Sequence, residues 1–111
     1  SCATVAARRG HRVTLFEAAD RIGGQFNMAK RVPGKEEFHE TLRYFGRELE
    51  LTGVELRLGQ AATADGLAGG HFEEIVLATG VLPRVPVIPG LGHPKVLSYV
   101  DVLLHGRPVG A

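Results

Sequence analysis

The stretch Val13–Gln25, VTLFEAADRIGGQ, constrains this chain more than any other. It reads as a buried strand, an acid at the strand's tip, and then a tight glycine doublet. A short apolar strand that follows directly on a helix belongs to α/β winding with a parallel sheet. In such folds an acid at the end of the second strand binds the hydroxyls of a ribose. Glycines without side chains let the backbone approach a phosphate or a flavin closely. The order of these features therefore points to a protein that holds an adenine dinucleotide. No G-x-G-x-x-G stands before the strand, and the expected place for that loop is immediately upstream of Ser1.

The flanking segments support α/β winding. Ala3 to Arg9 reads as the end of a helix rich in small residues, with Gly10 as a left-handed stop. His11 to Glu17 follows as the strand. Ala18 to Gly34 reads as a loop, long enough to be functional. Lys35 to Leu51 is the clearest helix, because Phe38, Leu42, Phe45 and Leu49 fall on one face. Gly53 ends it, and Val54 to Leu58 reads as a second strand. One helical turn is expected at Ala64 to Leu67. Phe72 to Thr79 is expected as a strand buried on both faces, since Ile75 to Ala78 is continuously apolar. Beyond Gly80 prolines and glycines crowd the chain, which makes an extended connector. Lys95 to Leu97 is a candidate strand, and Ser98 caps a final helix, Tyr99 to Leu104.

Composition narrows the function classes. The 111 residues make one domain or part of one. A net charge of +1, with basic residues scattered, gives no reason to invoke nucleic acid or a membrane surface. One cysteine, Cys2, excludes an internal disulfide framework or a cysteine cluster built by this chain alone. It fits a reducing compartment, here taken as the cytoplasm. No apolar run approaches the ~20 residues of a membrane helix.

Each candidate residue has an ordinary reading beside the functional one. Glu17 suits a ribose, because a carboxylate accepts from two vicinal hydroxyls and repels a 2′-phosphate; a solvated acid at a strand end is the alternative. Gly23 and Gly24 alone make a common turn, and their place six residues past the acid favours the cofactor. Gln25 carries an amide that donates and accepts, suited to a flavin edge or a ribityl hydroxyl, or simply to the surface. The strand end Ala78-Thr79-Gly80 can face a phosphate, although many buried strands end in glycine. The five histidines lack metal-ligand spacing. Tyr44 and Tyr99 sit where a helix would merely bury or expose an aromatic. No nucleophilic triad, acid pair or catalytic residue emerges.

With these residues in place, the chain resembles the flavoprotein portion of bacterial NADPH-dependent 2,4-dienoyl-CoA reductases. The wider group includes trimethylamine dehydrogenase and old yellow enzyme relatives with an added dinucleotide-binding half. The resemblance rests on GHRVTLFEAADRIGGQFNMAK, VPGKEEFHETLRYF and HPKVLSYVDVL. It implies a partial Rossmann-like FAD/NAD(P)-binding domain over residues 1–111, truncated at both ends. Residues 81–111 would lead toward an NADPH-binding insertion. It further implies that Glu17 bonds the adenosine ribose of FAD, and that Gln25 meets the flavin side. Lys35 would offset pyrophosphate charge, Ala62 would meet adenine through its backbone, and Thr79 and Gly80 would line the cleft. The group's FMN barrel, iron–sulfur cysteines and NADPH site lie outside this sequence, so the rest of the polypeptide is the expected partner.

Three functions follow from this. The chain is an FAD-holding part of an oxidoreductase acting on an unsaturated acyl-CoA, an ADP-binding module without redox work, or a ligand-free piece. In the last case an open sheet edge would invite self-association.

Overall fold

A computed structural model describes residues 1–110. Ala111, the last residue of the expected tail, lies outside the described residues. The elements run α1 (Cys2–Arg8), β1 (Thr14–Glu17), α2 (Phe26–Ala29), α3 (Phe38–Leu51), β2 (Glu55–Leu58), α4 (Ala64–Gly69) and α5 (Tyr99–Leu103). The two strands pair in parallel, with Thr14 opposite Glu55 and Glu17 opposite Leu58. α1 and α2 both touch α3, and α5 touches α2.

Helix α1 ends as its glycine predicts. Gly10 stands at φ +94°, and the amides of His11 and Gly10 donate to the carbonyls of Ala6 and Ala7. That pair of bonds is a Schellman closure, which satisfies carbonyls a helix end leaves open. The same closure ends α3. Gly53 stands at φ +70°, and the amides of Val54 and Gly53 donate to Leu49 and Glu50 at 3.1 and 3.2 Å. The closure folds Val54 back onto Leu49. These two are the buried hydrophobic residues among those described, at 8% and 6% exposure. From Val54 the chain enters β2 directly, and the Glu55 amide donates to the Val13 carbonyl at 2.9 Å.

The sheet has two different faces, because side chains alternate along each strand. Leu56 and Leu58 share an apolar hollow with Ile22, Leu49 and Val54. On the other face the Thr14 hydroxyl donates to the Glu55 carboxylate at 3.0 Å. There the Arg57 guanidinium also stands 5.2 Å from the Phe16 ring, a cation–π contact. Phe72 meets the same ring edge-on at 6.1 Å. An Arg8–Glu48 ion pair ties α1 to α3.

Four expectations need correction. The 72–79 segment forms no strand, and Val76 and Leu77 are 69% and 79% exposed. A strand exists by pairing, and among the described residues the sheet contains only β1 and β2. An apolar run with no ladder partner stays irregular, whatever its propensity. Lys95 to Leu97 is likewise not a strand; a turn holds it, through the Val96 amide and the His93 carbonyl. The 18–34 loop contains the short helix α2. The long helix starts at Phe38 and not at Lys35, because Lys35 to Glu37 make 3-residue turns before it.

The chain is unusually open. A compact chain of this length has a radius of gyration of about 13 Å. Here it is 17.6 Å. A compact protein of this mass exposes roughly 6,000 Å²; this chain exposes 9,000 Å². Among the described residues no helix is long and apolar enough to cross a membrane.

With so few buried apolar residues, the Leu49–Val54 contact should dominate stability. Leu49→Ala is expected to cost roughly 2–4 kcal/mol in urea unfolding. A loss under about 0.5 kcal/mol, the range of ordinary surface changes, would place the core elsewhere.

Candidate functional site

The carboxyl ends of β1 and β2 finish side by side, since Glu17 pairs with Leu58. Two backbone bonds extend the join beyond the ladder. The Gln60 amide donates to the Glu17 carbonyl at 3.0 Å, and the Gly59 amide donates to the Ala19 carbonyl at 2.8 Å. The loop that carries exposed Ala62 therefore leaves the sheet right beside Glu17. Ligands of open α/β sheets bind in this region, outside the carboxyl ends of the strands.

Glu17 is half-buried, and one carboxylate oxygen accepts from the Ala19 amide at 2.9 Å. That bond orients the group. A carboxylate has about four lone-pair sites, so it keeps acceptor capacity for a hydroxyl pair.

The glycine doublet divides its tasks. Both residues have positive φ, +117° at Gly23 and +47° at Gly24. A Cβ on Gly23 would stand 2.5 Å from a Leu42 methyl and 3.0 Å from the Asn27 amide nitrogen. Gly23 is therefore glycine so that the loop can pack against α3. A Cβ on Gly24 would meet nothing within 4 Å. Gly24 is the member whose backbone faces open space. Asn27, which carried no signal in the sequence, is buried and donates its amide to the Ile22 carbonyl at 3.0 Å. It holds the doublet from below.

Gln25 and Lys35, ten residues apart in sequence, line one cleft of about 400 Å³. Gln25 stands at the N-cap of α2 and makes no side-chain capping bond, so its amide is free. Phe26 and Phe38 meet edge-to-face at 4.9 Å in the cleft wall. Tyr99 and Leu103 of α5 supply the opposite wall. The sequence pattern missed this wall, because α5 lies far along the chain and only tertiary docking brings it here. Arg31 makes that docking visible: its guanidinium donates to the Leu104 carbonyl at 3.1 Å, at the C-terminal end of α5. A cation there also complements the helix dipole.

Thr79 and Gly80 fall in the exposed, irregular segment. They do not line the Gln25–Lys35 cleft. The strand meant to carry them to the sheet tips does not form. Among the described residues no group of three His, Cys, Asp or Glu side chains could hold a metal. The described residues thus offer a carboxylate acceptor at a strand tip, a turn of open backbone and a cation-bearing cleft.

The start of α5 is held by a capping box. The Ser98 hydroxyl accepts from the Asp101 amide at 3.1 Å, and the Asp101 carboxylate accepts from the Ser98 amide at 2.8 Å. The Ser98 hydroxyl also donates to that carboxylate at 2.7 Å. Hydrogen bonds from Ser98 hold the Asp101 carboxyl below its ordinary value of 3.8.

Known proteins resemble this chain in sequence and fold. The family described as "NAD(P)-binding Rossmann-like domain" matches residues 1–47. A 2-naphthoyl-CoA reductase, solved with 2-naphthoyl-CoA, superposes with a TM-score of 0.90 over 98% of this chain at 35% identity. The fold is Rossmann-like. The Rossmann-like chain is also 43% identical over 107 residues to an N,N-dimethylglycine/sarcosine dehydrogenase of Chromohalobacter salexigens, covering 91% of this chain. It is 37% identical over 103 residues to a bilirubin reductase of Mediterraneibacter gnavus, covering 93% of this chain. It spans 15% and 16% of those two proteins and 16% of the solved reductase chain. These relatives are oxidoreductases by name.

Two outcomes test the local geometry. Gly23→Ala is expected to cost more than Gly24→Ala in thermal unfolding. Both strain a left-handed backbone by about 1–2 kcal/mol; only Gly23→Ala also collides with Leu42. Equal losses would remove the packing role. For the capping box, a depressed carboxyl stabilises the folded state above its unfolded value and loses that contribution as pH falls through its folded value. The α5 cap should therefore hold at neutral pH and release only in acid below 3.8. Ser98→Ala should move the Asp101 titration, followed by carboxyl NMR shifts, upward toward its ordinary value.

Proposed function

We propose that this chain is the FAD-holding lobe of an NADPH-dependent oxidoreductase that reduces 2,4-dienoyl-CoA or a related unsaturated substrate. The observation that carries the reading is the join of the strand tips. It sets the Glu17 carboxylate beside the Ala62 loop, on the side of the sheet where α/β folds take nucleotides. Glu17 receives the adenosine ribose hydroxyls, and the Ala62 backbone meets the adenine. The open backbone of Gly24, with Gly23 packed behind it, allows close approach of the dinucleotide. Gln25 serves its flavin side, and Lys35 offsets its pyrophosphate charge. Thr79 and Gly80 belong to the same cleft once their segment is paired in the whole protein.

FAD held by these residues would supply a hydride acceptor for NADPH. This chain's residues bind and orient the FAD. The iron–sulfur cluster that the resemblance implies would need cysteines from other parts of the polypeptide, since Cys2 is the sole cysteine here; the FMN barrel is proposed to lie there too. Residues 81–111 serve as the connector toward the NADPH-binding insertion, and the cytoplasm is the proposed compartment. The relatives named as reductases of bilirubin and 2-naphthoyl-CoA support an unsaturated substrate in general terms.

An ADP-binding module is the rival reading, because Glu17 and Ala62 see only the adenosine end. The free Gln25 amide and the Lys35 cation in a second, apolar cleft favour the larger cofactor.

Glu17→Ala in the full natural chain is expected to weaken both ADP and FAD by about 1.5–3 kcal/mol, the range for hydrogen bonds to a charged group. Cofactor extracted from the purified protein should fluoresce as FAD. A protein that carries no FAD and binds none on titration would end this proposal.

A further inference from the structure

The cleft beside α2 contains a residue that the cofactor reading does not yet use. Three polar groups from three separate elements converge on it: the Gln25 amide from the start of α2, the Lys35 ammonium from the turn before α3, and Tyr99 from the start of α5. Between them the walls are apolar, with Phe26, Phe38 and Leu103. A concave, mostly apolar pocket with a few polar groups is the usual form of a small-molecule site. Its volume of about 400 Å³ falls at the lower end of that class and suits one flat heterocycle, not a whole dinucleotide.

The lining selects among the parts of a dinucleotide. Lys35 can offset a pyrophosphate at the margin of the cleft, but the aromatic and aliphatic walls between the polar groups suit a flat apolar ring. An oxidised nicotinamide carries positive charge, which Lys35 repels. Adenine is placed by the proposed function at the other end, beside Glu17 and Ala62. An isoalloxazine fits best: it is flat and largely apolar, its edge donates and accepts, and nearby charge tunes its electronics.

Tyr99 is built to stay in place while remaining open to a ligand. Tyr99 is 52% exposed, although α5 is anchored at both ends. The Ser98–Asp101 capping box fixes the start of α5. The Arg31 guanidinium bonds the Leu104 carbonyl at the other end. A tyrosine has few torsions to freeze, so a pre-positioned ring gives contact area at low entropy cost. We propose that Tyr99 is a cofactor-binding residue that packs its ring against the flavin-side half of FAD, with Arg31 as the positioning residue that docks α5. This inference rests on the FAD reading and adds the residue that distinguishes FAD from ADP at the site.

The test is cofactor affinity in the full natural chain, stripped of cofactor and titrated separately with FAD, by quenching of flavin fluorescence, and with ADP, by calorimetry. Tyr99→Ala is expected to weaken FAD roughly tenfold, the scale of losing one aromatic stacking partner. ADP affinity should stay unchanged, and Tyr99→Phe should retain FAD. If Tyr99→Ala loses its fold by circular dichroism, Tyr99→Leu keeps apolar packing without the ring and should show the same selective loss. Undiminished FAD binding in a folded variant, or equal losses of FAD and ADP, overturns the role of Tyr99 and leaves the FAD reading standing. Wild-type protein that binds neither ligand overturns both.

Discussion

The Schellman closure at the end of α3 is the interaction on which the rest depends. One glycine with positive φ lets two amides return to the last turn of the helix, and this sets Val54 on Leu49. Those are the two buried hydrophobic residues among the described ones. The same turn delivers the next residue, Glu55, into pairing with the backbone of Val13. Helix termination, core formation and strand register thus come from a single local event. A slip of one residue would turn Leu56 and Leu58 away from α3 and send Glu55 and Arg57 inward.

The site inherits its geometry from that register. Because β1 and β2 end level, the acid at one tip and the loop from the other share a corner. The Gln60–Glu17 and Gly59–Ala19 bonds hold that corner after the ladder stops. The second part of the site, around Gln25, depends on a different contact, the docking of α5 on α2 through Arg31. The two parts are joined by the glycine doublet, where one glycine serves packing and the other leaves the backbone open. The Glu17 corner and the Gln25 cleft therefore rest on separate structural supports.

The openness of the chain follows from the same economy. A two-stranded sheet packs on helices at one face and leaves the run from Ile75 to Ile88 without a partner. The surface of 9,000 Å² is about half again what a compact chain of this mass exposes. Large apolar side chains such as Leu77, Leu82 and Val87 lie in this excess.

Local signals in the sequence determined much of this protein. The glycine stops at Gly10 and Gly53, the amphipathic face of α3, the VELRL strand and the Ser98 cap all act within a few residues, through torsion preference, periodicity and capping. They were legible for that reason, as was the placement of Glu17 at a strand tip. The 72–79 segment was misread because its composition reports burial, whereas a strand forms only when a neighbour supplies its hydrogen bonds. Gly23 was legible as a glycine but not as a packing site, because Leu42 reaches it from another element. Tyr99 entered the cleft only through the tertiary docking of α5. Sequence alone thus settled elements whose hydrogen bonds close locally; the tertiary structure decided those whose partners come from far along the chain, because pairing and shape complementarity belong to neither segment alone.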